Sequence, residues 1–227
     1  MHALCVAAFA AGAVGLAGCT GSSTQVSMEG AGAAEPVTTG QADYRKERFE
    51  QAMRGLVISD GLVRIDARAG ADLLRGLDAG DAPAAIARGE ALMAENDFSG
   101  AAGEYRTAIL ADPENAAGYA GLGDALICKK KDDMALAAYR TAAVHAPDNT
   151  AVRLKLAETI NRNGDVEGFA TELENLLAID PSHGEAHARL AVAKYFLGDR
   201  EGAQREIALA ERFGGNVPPQ LKDMLNN

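Results

Sequence analysis

Pro113, Pro147 and Pro181 stand 34 residues apart twice over (147 − 113 = 34; 181 − 147 = 34), and each closes an Ala-rich amphipathic stretch of the same pattern. A proline at that interval stops one helix and leaves room in each period for two. The chain is thereby constrained to a run of helical hairpins, each too small to bury its apolar face alone and therefore obliged to stack on its neighbours. Blocks starting at Ala82, Ala116, Thr150 and Gly184 align as residues 82–115, 116–149, 150–183 and 184–217. With 48% hydrophobic residues but only 5% aromatic and no Trp, the composition suits helices meeting through small side chains better than a sandwich of β-branched and aromatic strands.

With each block numbered from its first residue, the second places Tyr119, Leu122, Gly123, Leu126, Ala135, Tyr139, Ala142 and Pro147 at positions 4, 7, 8, 11, 20, 24, 27 and 32. The first keeps Gly89, Leu92, Ala101, Tyr105, Ala108 and Pro113; the third keeps Leu156, Ala157, Ile160, Leu176 and Pro181, with Phe169 where a small residue is expected. The fourth keeps Leu190, Ala191, Ala203, Ile207 and Ala210 and lacks the proline. Small residues at positions 8, 20 and 27 let the two helices of a hairpin approach, and larger ones at 4, 7, 11 and 24 fill the space between hairpins. Asn96-Asp97, Gly164-Asp165 and Gly198-Asp199 make the turn within a hairpin: Asn or Gly takes a left-handed cap and Asp caps the next helix. This pattern resembles the tetratricopeptide repeat (TPR), a resemblance that covers residues 82–217. It implies an all-α fold, a right-handed α-solenoid of about four repeats.

Outside the array, residues 42–81 are expected to be helical. Phe49, Met53 and Leu56, then Leu73, Leu74 and Leu77, fall at helical spacing, and Gly55, Ala67 and Leu74 take positions 8, 20 and 27 of a block starting at Arg48. The reading is a degenerate or capping hairpin. Pro218-Pro219 followed by Gln220 to Leu225 reads as a capping helix within residues 218–227.

Residues 3–18 are almost wholly apolar and too few to span a membrane comfortably, as in a signal-peptide h-region, although only His2 stands where Lys or Arg is usual. The run ends in Leu16-Ala17-Gly18-Cys19, which resembles the lipobox of bacterial lipoproteins. That resemblance implies a signal peptide over 1–18, acylation of Cys19 with palmitate-type chains and, with Thr20 next, sorting to the outer membrane facing the periplasm. Residues 19–41 are Gly-, Ser-, Thr- and Ala-rich and read as a flexible tether. With Cys5 in the targeting segment and Cys19 as lipid acceptor, Cys128 is expected to be the sole free thiol, with no internal disulfide.

By resemblance to TPR arrays, first-helix positions 2, 5, 9, 12 and 13 face a partner-binding groove. The candidates are Ile86, Glu90 and Met93; Ala120, Asp124 and Ile127; Leu154, Glu158, Asn161 and Arg162; and Val192 and Tyr195. Position 9 is acidic three times, as Glu90, Asp124 and Glu158. Two readings stand: a ladder for an extended or helical peptide with basic groups and apolar anchors, or an ordinary solvated polar site. The TPR clamp for acidic C-terminal tails uses Lys and Asn at positions 5 and 9. Ile86 with Glu90, Ala120 with Asp124 and Leu154 with Glu158 replace them, so such tails are not expected to bind. A formal net charge of −10 and a pI near 4.9 argue against nucleic acid.

His183 and His187 have the i, i+4 spacing of metal ligands, but His183 falls in a turn and His187 at packing position 4, which favours packing or exposure over a metal. Lys129-Lys130-Lys131 replaces the usual hairpin turn and reads as a solvated charge run. No positioned catalytic set and no cofactor motif is recognisable. The expectation is a membrane-anchored protein-interaction scaffold of the bacterial envelope, not an enzyme. By resemblance to TPR lipoproteins, it would assist assembly of a pilus or secretion system. A periplasmic chaperone and a non-catalytic accessory subunit of a cell-wall or polysaccharide enzyme are the alternatives.

Overall fold

The computed structural model describes residues 39–66, 68, 73 and 76–226. The signal peptide, the lipidated Cys19 and nearly all of the tether lie outside the described residues. The chain divides into two compact units, one running to Lys131 and the other from Asp132 onward. The first contains α1 (Thr39–Met53), β1 (Leu56–Ser59), β2 (Leu62–Ile65), α2 (Asp81–Ala94), α3 (Phe98–Ala111) and α4 (Ala116–Cys128). The second contains α5 (Asp132–His145), α6 (Thr150–Arg162), α7 (Val166–Ile179), α8 (Gly184–Phe196), α9 (Arg200–Arg212) and α10 (Pro219–Asn226). The all-α repeat fold holds: α4, α6 and α8 begin on the first residues of their blocks. Within the units α2 packs on α3, α6 on α7 and α8 on α9.

The turn chemistry repeats with the same period. Position 15 is left-handed in all four blocks, at Asn96 (φ 61), Lys130 (φ 58), Gly164 (φ 85) and Gly198 (φ 87). The following aspartates cap the second helices: Asp97 accepts from the Gly100 N–H at 3.0 Å, Asp165 from Gly168 at 2.7 Å and Asp199 from Gly202 at 2.8 Å. A Cβ on any of these three glycines would overlap the capping carboxylate, which accounts for Gly three residues after each Asp. The second block has Lys130 in the left-handed position and Lys131 in place of the Asp. A left-handed non-glycine costs about 1–2 kcal/mol, and glycine's greater freedom in the unfolded chain returns part of that. Lys130→Gly should therefore stabilise the protein by about 0.5–1 kcal/mol, read as a higher urea midpoint with unchanged slope.

The N-terminal segment departs from expectation. α1 stops at Met53, and Gly55 (φ 87) turns the chain out of the helix instead of providing a helix–helix contact. Leu56, expected to continue the helical spacing, enters a strand. β1 and β2 pair antiparallel with Leu56 opposite Ile65 and Ser59 opposite Leu62. Asp60 (φ 55) and Gly61 (φ 73) form the two-residue turn that a hairpin of right-handed twist requires. The Asp66 N–H donates to the Gly55 carbonyl at 2.8 Å and closes the base. β-Branched residues on both sides of Asp-Gly outweigh the helical periodicity, so the helical hairpin expected from Arg48 does not form there. Ala67 and Leu74 of that reading lie outside the described residues.

At the other end α10 is the expected capping helix, started by Pro219 in its first turn. It is amphipathic: its Leu221 and Leu225, with Val217 just before the helix, are buried in one cluster with Ala188, Ala191, Val192, Ala203 and Ala210. The backbones of Gly184 and Gly215 cross so closely that neither position has room for a Cβ.

Candidate interaction faces

In the N-terminal unit α2 and α4 are neighbours, and Tyr105 of α3 lies between them. A Cβ built on Gly89 would stand 2.7 Å from the Tyr105 ring, and one on Gly121 closer still, so both helices meet the ring through glycine. Tyr105 is only 3% exposed. Its phenol is pushed up to about 12, chiefly by burial and then by the charges of Asp124 and Glu90. Around it, Ile86, Met93, Ala120 and Asp124 are half-buried and Glu90 is exposed. Ile127 is 6% exposed and serves packing.

The Tyr105 shift has a signed consequence. A phenol harder to ionise when folded contributes stability that is complete below its ordinary value of 10 and is lost as pH rises towards 12. Tyr105→Phe should flatten that part of the alkaline stability profile, measured by urea unfolding across the interval.

In the C-terminal unit most candidate groove groups already have partners. Glu158 of α6 pairs with Arg189 of α8 at 2.5 Å, and Arg189 also reaches Glu185 at 2.8 Å. Arg162 is exposed and pairs with Asp132 at 3.0 Å. Leu154 is half-buried. Asn161 is 6% exposed, with Oδ1 buried and making no hydrogen bond among the described residues. Val192 is 7% exposed and belongs to the core that α10 closes. Tyr195 meets Phe196 edge-on at 5.5 Å and carries Arg200 over its face at 5.8 Å. The same guanidinium donates to the Met224 and Leu225 carbonyls. Glu158, Asn161, Val192 and Tyr195 are thus committed to the unit's own packing and pairing.

A second periodic device was hidden in the sequence. Position 4 donates to the carbonyl of the proline six residues earlier in three blocks: Tyr119 to Pro113 at 3.1 Å, Arg153 to Pro147 at 2.6 Å and His187 to Pro181 at 3.1 Å. Proline leaves its carbonyl available while ending the helix, and three chemically different side chains satisfy it. Because Tyr, Arg and His share no class, residue-type matching conceals the equivalence. Arg153 also binds Glu172 at 2.6 Å, and His187 Nδ1 lies 2.7 Å from Glu206, which in turn accepts from Lys194 at 2.7 Å. Glu172 and Glu206 both occupy position 23. His183 accepts the Ala186 N–H as a helix cap, so the two histidines have separate structural roles.

The lysine run is also partly structural. Lys129 donates to Ser99 at 2.7 Å and sits 4.9 Å over the Phe49 ring. Cys128 is disulfide-bonded, against the expectation of a free thiol, and its partner lies outside the described residues. That expectation rested on assigning the other two cysteines to processing. No described helix is long and apolar enough to cross a membrane.

No family model matches the sequence, and no curated protein matches it. Solved structures do share its fold. A crystal structure of MamA is 18% identical with a TM-score of 0.56, covering 79% of this chain and 96% of that one. The MamA AMB-1 P212121 structure is 20% identical with a TM-score of 0.53, covering 81% and 96%. The first TPR of Spaghetti (RPAP3) bound to HSP90 peptide SRMEEVD is 19% identical with a TM-score of 0.51, covering 54% and 97%. At these identities the likeness is one of fold, the TPR-type helical repeat that the block pattern implies.

Proposed function

We propose that this protein is a membrane-anchored protein-interaction scaffold of the bacterial envelope, and that the α2–α4 face holds a segment of its partner. The supporting observation is the mixed character of that face. Ile86 and Met93 offer partly exposed apolar surface on either side of exposed Glu90, the combination of anchors and charge that a peptide groove needs. The RPAP3 domain is bound to an acidic peptide. Here Ile86 and Glu90 occupy two of the positions a clamp for acidic tails would need as Lys and Asn, and the complementary ligand is basic or neutral.

A photo-crosslinking residue at Met93 tests the face against one at exposed Arg140 on α5. A discrete crosslinked protein obtained from Met93 alone supports the reading, and equal labelling from both sites counts against it. Anchoring through Cys19 would raise the local concentration of scaffold and partner at the outer membrane; as Cys5 and Cys19 are the only other cysteines, it requires that the Cys128 disulfide be absent from the processed, acylated chain. Cys19→Ala should move the protein from the membrane to the soluble fraction; unchanged fractionation refutes the lipid anchor. Within this reading the partner is a component of a pilus or secretion assembly. Retention in the finished assembly separates that role from a chaperone, which leaves it, and from an accessory subunit, which changes an enzyme's rate.

A further inference from the structure

Position 9 of the third block, Glu158, meets a guanidinium from position 6 of the fourth, Arg189, at 2.5 Å. The same relation inside the N-terminal unit joins Glu90, at position 9 of the first block, to position 6 of the second, which is Gly121. No cation can come from a glycine, and among the described residues exposed Glu90 has no ion-pair partner.

The space above Gly121 is taken by the Tyr105 ring. The ring is buried, yet its hydroxyl makes no hydrogen bond to a described residue and is not sealed from solvent. The carboxylates of Asp124 and Glu90 both bear on that hydroxyl, which stays neutral and keeps its lone pairs available to a donor.

We propose that Glu90 and the Tyr105 hydroxyl form a subsite for a lysine or arginine side chain of the partner segment, in the place that Arg189 takes against Glu158. This rests on the groove reading above and specifies its chemistry. The carboxylate supplies charge, the phenol oxygen supplies a neutral acceptor, and Gly89 and Gly121 fix the ring between the helices. Arg189 occupies the equivalent position internally, so the C-terminal unit does not need an external cation.

The test uses the full chain and a fluorescein-labelled peptide of alternating leucine and lysine, followed by anisotropy at low salt, beside the same peptide with every lysine acetylated. The lysine peptide should bind at least about tenfold more tightly than the acetylated one. Glu90→Gln and Tyr105→Phe should each weaken it about threefold to tenfold. Glu158→Gln should change it less than about twofold, its carboxylate being already paired. Unchanged affinity in both Glu90→Gln and Tyr105→Phe overturns the subsite, as does an equal loss in Glu158→Gln. Equal binding of the two peptides overturns the subsite while leaving the groove intact. If neither peptide binds and Met93 gives no discrete crosslink, the groove reading fails and the subsite with it. Both substitutions preserve side-chain shape, so circular dichroism and melting should match the unsubstituted protein.

Discussion

Glu206→Ala should lower stability by about 3–4 kcal/mol, because it removes the one carboxylate that serves two otherwise enclosed partners. Glu206 has 12% of its side chain exposed and Lys194 20%. Oε1 accepts from Lys194 at 2.7 Å, and Oε2 lies 2.7 Å from His187 Nδ1. With Glu206 gone the ammonium keeps, among the described residues, only Glu174, at 3.5 Å, and the imidazole loses its second partner. An isolated surface pair would be worth a fraction of this. Burial is what makes the deletion costly, and the remaining Glu174 holds the loss towards the lower end. The matched control, Glu167→Ala at an exposed site on α7, should stay within about 0.5 kcal/mol.

The same variant has a pH signature. Burial alone would depress the Lys194 ammonium, but the Glu206 hydrogen bond and the charges of Glu206 and Glu174 together raise it above the ordinary lysine value of 10.5. A cation raised on folding adds stability in full below that value and loses it as pH climbs through the folded one. In Glu206→Ala this alkaline decline should shrink. A urea series in which the variant declines as steeply as the parent would refute the assignment to Lys194.

Gly121→Ala should destabilise by about 2–3 kcal/mol, although glycine to alanine inside a helix ordinarily gains about 0.8–1 kcal/mol. The sign therefore decides whether packing or propensity governs this position. An added methyl would enter the Tyr105 ring, and Gly89 on α2 prevents the ring from retreating on its other side. Shortening the ring should relieve the conflict. Tyr105→Leu together with Gly121→Ala should show a coupling of about 1–2 kcal/mol in a double-mutant cycle. Additive losses would mean that the ring and the glycine do not meet.

Much of this was legible because it depends on residue classes repeating along the chain. The helix starts at Ala116, Thr150 and Gly184 and the left-handed turns at Asn96, Gly164 and Gly198 follow from spacing and glycine chemistry. The β-hairpin at Leu56–Ile65 escaped because Phe49, Met53 and Leu56 keep a helical period that runs straight across Gly55, and periodicity cannot register that the chain has turned there. The interaction faces were less legible. Groove positions can be counted, but Val192 lies beneath a helix that arrives some thirty residues later, and Glu158 is matched by an arginine in another block. Tyr105 was recognised only as a packing residue; its hydroxyl gains significance from the glycines on two other helices.

The tie from each position-4 side chain to the preceding proline carbonyl spans six residues across a block boundary. Excising residues 150–183 would place His187 six residues after Pro147, with the donor and acceptor both retained. Whole periods can therefore be gained or lost by genetic duplication and deletion without breaking the links at the joints. Array length is thereby open to selection.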